Sequence, residues 1–218
     1  EHSIERGFAR HWALDDNIRV FKRTANGYRV PVYDGSPFCA IEDYVDRFSN
    51  VRLAGMQYSM FCTNKVVRAK PYLLNGRVYS CLLVDNSMRF RWRRFYNADT
   101  DMNLRILKSG DCTMVFYALS ADKMRTMTVK GGLTDHYQKK GEVDGRLEMA
   151  KSLVQQHPDC VKIVWKWGRW QHKVDYRKFR GNKLKLRPGA TWPEDVNNYG
   201  MVLVDTNTMK PVEVLRAR

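Results

Sequence analysis

Arginines alternate with large apolar side chains between Met88 and Tyr96. A period of two is typical of a half-buried strand, so we predict that Phe90 and Trp92 face a core while the arginines stand on the opposite side. Like charges about 7 Å apart on one strand face repel each other. The pattern therefore predicts a negatively charged ligand, which we interpret as a nucleic-acid backbone.

A second cationic segment spans residues 162–187, where ten Lys and Arg stand against one acid, Asp175. With residues 88–96 it carries +13 of the formal net charge of +15, so the positive charge is clustered in sequence. Tryptophans and tyrosines are interleaved with these cations. Cations hold phosphates and flat rings stack on unpaired bases, as single-stranded nucleic-acid binding requires.

These two segments predict a non-enzymatic RNA-binding protein or ribonucleoprotein component. RNA is favoured over duplex DNA because no basic recognition helix for a major groove is present. The alternative is a solvated strand face, although mixed-sign surfaces keep proteins soluble without attracting nucleic acids. The residues predicted to bind nucleic acid are cations of both segments and two aromatics: Arg89, Arg91, Arg93, Arg94, Lys166, Arg169, Trp170, Lys173, Tyr176, Arg177, Lys178, Arg180, Lys183 and Lys185.

Asp99 and Asp101 are the best catalytic candidates, because two carboxylates two residues apart could hold a divalent cation for phosphodiester cleavage. A metal-dependent nuclease is therefore one alternative function, and a coat-like protein that packages a genome is another. Asp-x-Asp is common in polar turns, so we favour a structural role. Asp135-His136 has no specified nucleophile beside it, and phosphate-loop, dinucleotide and zinc-protease motifs are absent. We expect no catalytic residue, metal or cofactor.

Hydrophobic spacing predicts a short helix in residues 1–16 that ends near Asp15-Asp16, a hairpin over 18–33 around Asn26-Gly27, and a helix from Ser36-Pro37 to about Asn50. A second long helix is predicted over about 142–157, ended by Pro158. Closely spaced β runs fill the rest, at Gln57–Thr63, Val66–Leu73, Arg77–Val84, Met88–Tyr96, Asn103–Lys108, Thr113–Leu119, Arg125–Val129, Val161–Trp167, Trp170–Tyr176, Tyr199–Asp205 and Pro211–Leu215.

Consecutive β runs without intervening helices favour antiparallel pairing over βαβ units. The predicted fold is therefore α+β, a mainly antiparallel sheet (a sandwich or partly open barrel) with two packed helices. With 44% hydrophobic residues, we expect residues 1–218 to form a single domain. The binding surface would be a basic face of the sheet.

The cysteines are five in number and widely spaced, which indicates free thiols and a reducing compartment: cytoplasm, nucleus or an organelle matrix. His157 and Cys160 lack a second ligand pair at zinc-finger spacing. No apolar run could span a bilayer, so we expect no membrane association. The expected partners are single-stranded or structured RNA, and protein partners in a ribonucleoprotein or homo-oligomer. The chain begins at Glu1, from which we expect a processed or trimmed product.

Overall fold

The computed structural model describes residues 1–25, 28–63, 71–93, 96–124 and 144–192. Its helices are α1 (His2–Glu5), α2 (Ser36–Val45), α3 (Ala98–Lys108) and α4 (Gly145–Gln156). Its strands are β1 (Arg10–Leu14), β2 (Ile18–Ala25), β3 (Tyr28–Val32), β4 (Val51–Tyr58), β5 (Tyr72–Leu74), β6 (Cys81–Asp85), β7 (Cys112–Lys123), β8 (Val161–Lys166) and β9 (Arg169–Val174). Short 3-10 helices lie at Ser59–Phe61 and Tyr176–Phe179.

Seven strands form one sheet in the order β1-β6-β4-β7-β2-β3, with β5 also pairing with β7. Strands β4 and β7 run parallel, with Gly55 opposite Val115, whereas the other pairs in this sheet are antiparallel. A parallel pair needs a long crossover, and here α3 lies in it. The sheet is therefore mixed, and the predicted mainly antiparallel α+β fold with two helices is wrong.

The central strands are covered on both faces. On one side α2 contributes Ile41 and Val45 to a core with Met56 of β4. On the other, α3 contributes Met102 and Ile106, which pack in a second core that also holds Leu53, Val78 and Leu82. Coverage on both faces explains why β6 is buried along its whole length.

Helix α3 is itself packed on two sides. Leu104 and Leu107 turn away from the sheet into a third core with Leu153 of α4 and Phe179. Strands β8 and β9 form a separate two-stranded hairpin that packs on α4. The result is a layered order of α2, sheet, α3 and then the α4–hairpin unit. Among the described residues no helix is long and apolar enough to cross a membrane.

Strands β4 and β6 approach each other closely at Gly55. A Cβ atom at this position would lie 1.9 Å from the carbonyl oxygen of Cys81. Any side chain would push the two strands apart, which explains glycine in the middle of a buried strand.

Four predicted elements are wrong. The only helix in residues 1–16 is α1, which ends at Glu5, and Arg10–Leu14 forms a strand paired with β6. The strand predicted at Gln57–Thr63 is wrong because β4 ends at Tyr58 and Ser59–Phe61 forms a 3-10 helix. Asn103–Lys108 belongs to α3 rather than to a strand. Residues 88–93 and 96 form no strand; Phe90 instead lies between the guanidinium groups of Arg89 and Arg105, at 5.2 and 4.9 Å from its ring centroid.

Other predicted elements are confirmed with shifted ends. The hairpin of β2 and β3, helix α2, strand β7, helix α4 and the strands β8 and β9 all lie where the patterns place them. Strand β6 begins later than predicted. Some predictions fall outside the described residues: the Asn26-Gly27 turn, residues 66–70, Asp135-His136 and the strands at 125–129, 199–205 and 211–215.

Candidate active site at the carboxyl edge of the sheet

The parallel strands β4 and β7 end side by side, with Tyr58 opposite Ala121. In open α/β sheets, ligands bind in the crevice outside the carboxyl ends of parallel strands. Since β6 is antiparallel to β4, the residues before β6 reach the same end, where the Tyr79 hydroxyl donates to Gln57 Oε1 at 3.1 Å. We call this end of the sheet the carboxyl edge, and the opposite end, where β4 begins and β6 finishes at Asp85, the amino edge.

Asp99 stands at the carboxyl edge in the first turn of α3, where the helix dipole favours a negative charge. Its Oδ2 accepts a hydrogen bond from Arg77 Nη2 at 3.3 Å. The Arg77 guanidinium also lies 4.4 Å from the ring centroid of Tyr79, which fixes it over an aromatic face. Because the Asp99 side chain is 28% exposed, its carboxylate keeps a side open to a ligand.

The backbone around Arg77 and Asp99 is held in an unusual conformation. Asn75, Ser80 and Asn97 have φ angles of 58°, 66° and 52°, a left-handed region that residues other than glycine seldom occupy. Such strained residues cluster at functional sites, where packing compensates their cost. Here the Asn75 amide is tied to the backbone oxygens of Phe179 and Asn182, both at 2.9 Å.

A lysine completes the carboxyl edge at the end of β7. Lys123 Nζ donates to Asp15 Oδ2 at 2.5 Å, to the Tyr58 hydroxyl at 2.9 Å and to Ser80 Oγ at 3.0 Å. Partial burial disfavours its charge, but the bonds to Asp15 and Tyr58 outweigh this and raise the pKa of Lys123. The edge therefore carries two cations, each paired with a partly exposed carboxylate: Arg77 with Asp99 and Lys123 with Asp15.

Asp101 does not share this environment with Asp99. Its side chain is 2% exposed, and it accepts hydrogen bonds from Arg93 at 2.7 and 2.9 Å while lying 2.9 Å from His157 Nε2. Burial disfavours the charge of Asp101, but His157 and Arg93 outweigh it and hold the pKa of this carboxyl well below its usual range. Asp101 thus links α3 to Arg93 and to His157 at the end of α4. The two aspartates therefore cannot hold a metal together, as the nuclease alternative required.

The amino edge holds a pocket of about 390 Å³ that is lined in part by Arg10, Asp46, Asp85 and Arg187. Its polar groups are already bonded to one another: Arg10 Nε lies 2.6 Å from Asp46 Oδ1, and Arg52 donates to Asp85 at 2.8 Å. Those bonds leave little capacity for a ligand. We therefore place the candidate active site at the carboxyl edge rather than in this pocket.

The first predicted cationic segment is a loop. Arg89, Arg91 and Arg93 are exposed as predicted, but Trp92 is 45% exposed and does not face a core. Arg91 donates to the Met88 carbonyl at 2.5 Å. Arg94 lies outside the described residues.

The second segment contains a cationic face on the β8–β9 hairpin. The register places Lys162 opposite Lys173 and Lys166 opposite Arg169, and all four side chains are exposed on one side. Trp170 pairs with Trp165 on the other side, at a ring-centroid distance of 5.1 Å.

The remaining predicted residues lie after the hairpin. Arg177 forms an ion pair with Asp175 at 2.7 Å, and the Lys178 ammonium donates to the Asp159 carbonyl. Tyr176 turns inward beside Arg77. Exposed side chains further along the chain are Arg180, Lys183 and Lys185. Their role in binding an anionic partner, like that of the hairpin cations, stays a prediction.

Sequence reasoning missed Gln57, Arg77, Tyr79 and Lys123, which had no motif to mark them. Their common signal is position: each lies at or beside the end of a strand that meets the carboxyl edge. Within the described ranges, His, Cys, Asp and Glu form no group of three or more that could hold a metal ion.

The chain matches one known protein family. The family model described as TET-associated glycosyltransferase matches residues 1–132, which is more than half of the chain and includes every carboxyl-edge residue named above. The chain belongs to the TET-associated glycosyltransferase family. No curated protein and no solved structure matches it.

Membership of this family overturns the predicted function. The chain belongs with glycosyltransferases, so the prediction of a non-enzymatic RNA-binding or ribonucleoprotein component is wrong, as are the nuclease and coat-like alternatives. The physical reason is that clustered cations report affinity for negative charge in general. They do not distinguish a polymer backbone from other anions or from pairing with the protein's own acids.

Proposed function

We propose that this protein is a glycosyltransferase whose active site is the carboxyl edge, with Asp99 as its general base. The observation that carries the proposal is the half-open Asp99 carboxylate beside Arg77, at the end of a parallel strand pair and inside the segment that matches the family. Glycosyl transfer needs a group that accepts a proton from the attacking hydroxyl, and a positioned carboxylate supplies that.

The reaction balances with the groups at this edge. Asp99 takes the proton of an acceptor hydroxyl, whose oxygen bonds to the anomeric carbon of the donor sugar. The bond from that carbon to the oxygen of an activating phosphate breaks, and its electron pair leaves with the phosphate. Arg77 and Lys123 lie where they can offset the negative charge that develops on this leaving group.

The carboxylates support a direct displacement that inverts the anomeric carbon. A double displacement would need a second carboxylate as nucleophile, about 5 Å from the first in retaining glycosidases. Asp101 is buried against His157 and Arg93, and Asp15 is bonded to Lys123. We therefore assign the base to Asp99, which accepts hydrogen bonds from Arg77 and Thr100 and is 28% exposed.

The test compares Asp99→Asn with Asp16→Asn, an exposed aspartate in the turn before β2. Both proteins are assayed for release of nucleoside diphosphate from a panel of nucleoside-diphosphate hexoses, with water as the acceptor. We expect kcat to fall about 10²- to 10⁴-fold in Asp99→Asn, the usual contribution of a general base. Asp16→Asn should match the parent. Full activity of folded Asp99→Asn would overturn the assignment of the base.

We also propose an intracellular, reducing location. All five cysteines are free, and four of them are buried. Burial raises the pKa of Cys62 to about 12 and that of Cys112 to about 11, so these thiols stay protonated and inert. Measuring thiol content in protein purified without reductant tests this, because five titratable thiols are expected on unfolding and a disulfide would contradict it.

A further inference from the structure

The α4–hairpin unit follows the segment that matches the family, yet it is docked against the candidate active site. Leu153 of α4 and Phe179 pack with Leu104 and Leu107 of α3, the helix that carries Asp99. The Asn75 side chain ties the loop before β6 to the backbone at Phe179. The unit therefore lies beside Arg77, although the family match ends at residue 132.

His172 lies on the side of the hairpin that faces this site. It is paired with Ile163, and shares a face with Val161 and Val174, which belong to the core beneath α3. The opposite face carries the exposed cations. Burial, and then the nearby Arg77 guanidinium, lower the pKa of His172 to about 4. Its imidazole is therefore neutral near pH 7 and offers one hydrogen-bond donor and one acceptor.

Two polar atoms at the same place have no partner. The Tyr176 hydroxyl and Arg77 Nε are buried and make no hydrogen bond within the described part of the chain. Tyr176 and Arg77 interact electrostatically, as each also does with Asp99. Buried polar groups are bonded in most proteins, so a bare hydroxyl and a bare N–H beside a half-open carboxylate are groups that a polar ligand would satisfy.

We propose that His172 and Tyr176 complete the site by hydrogen bonding to hydroxyl groups of the donor sugar. This rests on the proposed glycosyltransferase function. A neutral imidazole and a phenol can each donate and accept, which suits sugar hydroxyls, whereas phosphate would favour the cations Arg77 and Lys123. The α4–hairpin unit would then be a part of the active site and not merely a support for it.

The test uses Tyr176→Phe and His172→Gln in the full chain. Their matched controls are Tyr33→Phe, which changes an 89% exposed tyrosine, and His2→Gln, which changes an exposed histidine of α1. Donor hydrolysis is measured with the nucleoside-diphosphate hexose that the parent uses, and thermal unfolding confirms that each variant folds. We expect kcat/KM to fall about 3- to 10-fold in each site variant, as loss of one neutral hydrogen bond predicts, and to stay unchanged in the controls.

Deoxy analogues of that donor separate contact with the sugar from a structural role. Removing the hydroxyl that Tyr176 binds should lower kcat/KM in the parent but have no further effect in Tyr176→Phe, and the same holds for His172→Gln with its own hydroxyl. Purely additive losses for every deoxy analogue would overturn the inference and leave the proposed function standing. A parent that neither binds nor cleaves any donor of the panel would overturn the proposed function, and the inference with it.

Discussion

The carboxyl edge and the amino edge of the same sheet each carry an aspartate paired with an arginine, and the two aspartates differ in burial and in the length of that ion pair. Asp85, at the amino edge, has both oxygens occupied, since Oδ1 accepts from Ser87 N and Oγ at 2.9 and 2.7 Å and Oδ2 accepts from Arg52. Asp99, at the carboxyl edge, is 28% exposed; its Oδ1 accepts from Thr100 N at 2.7 Å and Oγ1 at 3.4 Å, and its Oδ2 is paired with Arg77 only at 3.3 Å. A buried carboxylate with a short ion pair stabilises the fold, whereas a more exposed one with a long ion pair remains able to act on a ligand.

The largest expected effect comes from replacing each of the two aspartates by asparagine, in two separate variants. Asp99→Asn should reduce kcat about 10²- to 10⁴-fold with little change in melting temperature. Asp85→Asn should do the reverse, keeping activity while lowering the melting temperature, because Arg52 loses a charged partner. Donor hydrolysis and thermal unfolding of both variants check this. If Asp85→Asn were inactive but as stable as the parent, the active site would have to be assigned to the amino edge instead.

Arg77→Met should show the next largest effect. Loss of a charge-assisted hydrogen bond to a phosphate costs about 1.5 to 3 kcal/mol, so we expect the KM for the donor to rise roughly 10- to 100-fold. Arg6→Met, at an exposed position after α1, is the control. Steady-state kinetics measure both. An unchanged KM in Arg77→Met would show that this cation does not meet the leaving group.

Arg52→Ala should affect stability rather than catalysis. It leaves the buried Asp85 without its cation and also removes the contact with Asp111 at 3.2 Å. Since the Arg52 side chain is 26% exposed, water screens part of the interaction, and we expect a loss of about 1 to 2 kcal/mol in the free energy of unfolding. Urea unfolding measures the loss. A variant as stable as the parent would mean that the amino-edge network contributes nothing.

The smallest expected effect concerns how the melting temperature falls at acid pH. Burial disfavours the charge of Asp85, but Arg52 and Ser87 outweigh it and lower its pKa in the folded protein. A lowered folded-state pKa adds stability that is present above the unfolded pKa of about 4 and is lost as the pH falls below it. Asp85→Asn should therefore be less sensitive to acid than the parent, as followed by melting temperature between about pH 5 and pH 2. An identical acid dependence would contradict this.

Several elements followed from local sequence alone. The β2–β3 hairpin, the start of α2 near Ser36-Pro37 and the end of α4 before Pro158 were predicted because turn, cap and helix-breaking residues act on their immediate neighbours. Strands β8 and β9 were also predicted, from two β-prone runs that follow α4. The clustering of charge likewise needed no structure.

Other features depended on contacts between distant segments. Helix α3 was mistaken for a turn and a strand because it is buried on two sides, with Met102 and Ile106 toward the sheet and Leu104 and Leu107 toward α4. Its apolar residues therefore do not form the single stripe that marks a surface helix. The alternation from Met88 to Tyr96 resembled a strand, but none of the strands described by the structure pairs with residues 88–93.

The sequence by itself determined the local elements and the clusters of charge, since both depend on residues close together in the chain. Only the tertiary structure made β4 and β7 parallel, brought Arg77 to Asp99 and set His172 beside them. The family match supplied the chemistry, which no motif recognised in the residues had indicated. An active site assembled from a strand end, a helix start and a distant hairpin has no fixed spacing, because the packing of α3 between the sheet and α4 brings its parts together.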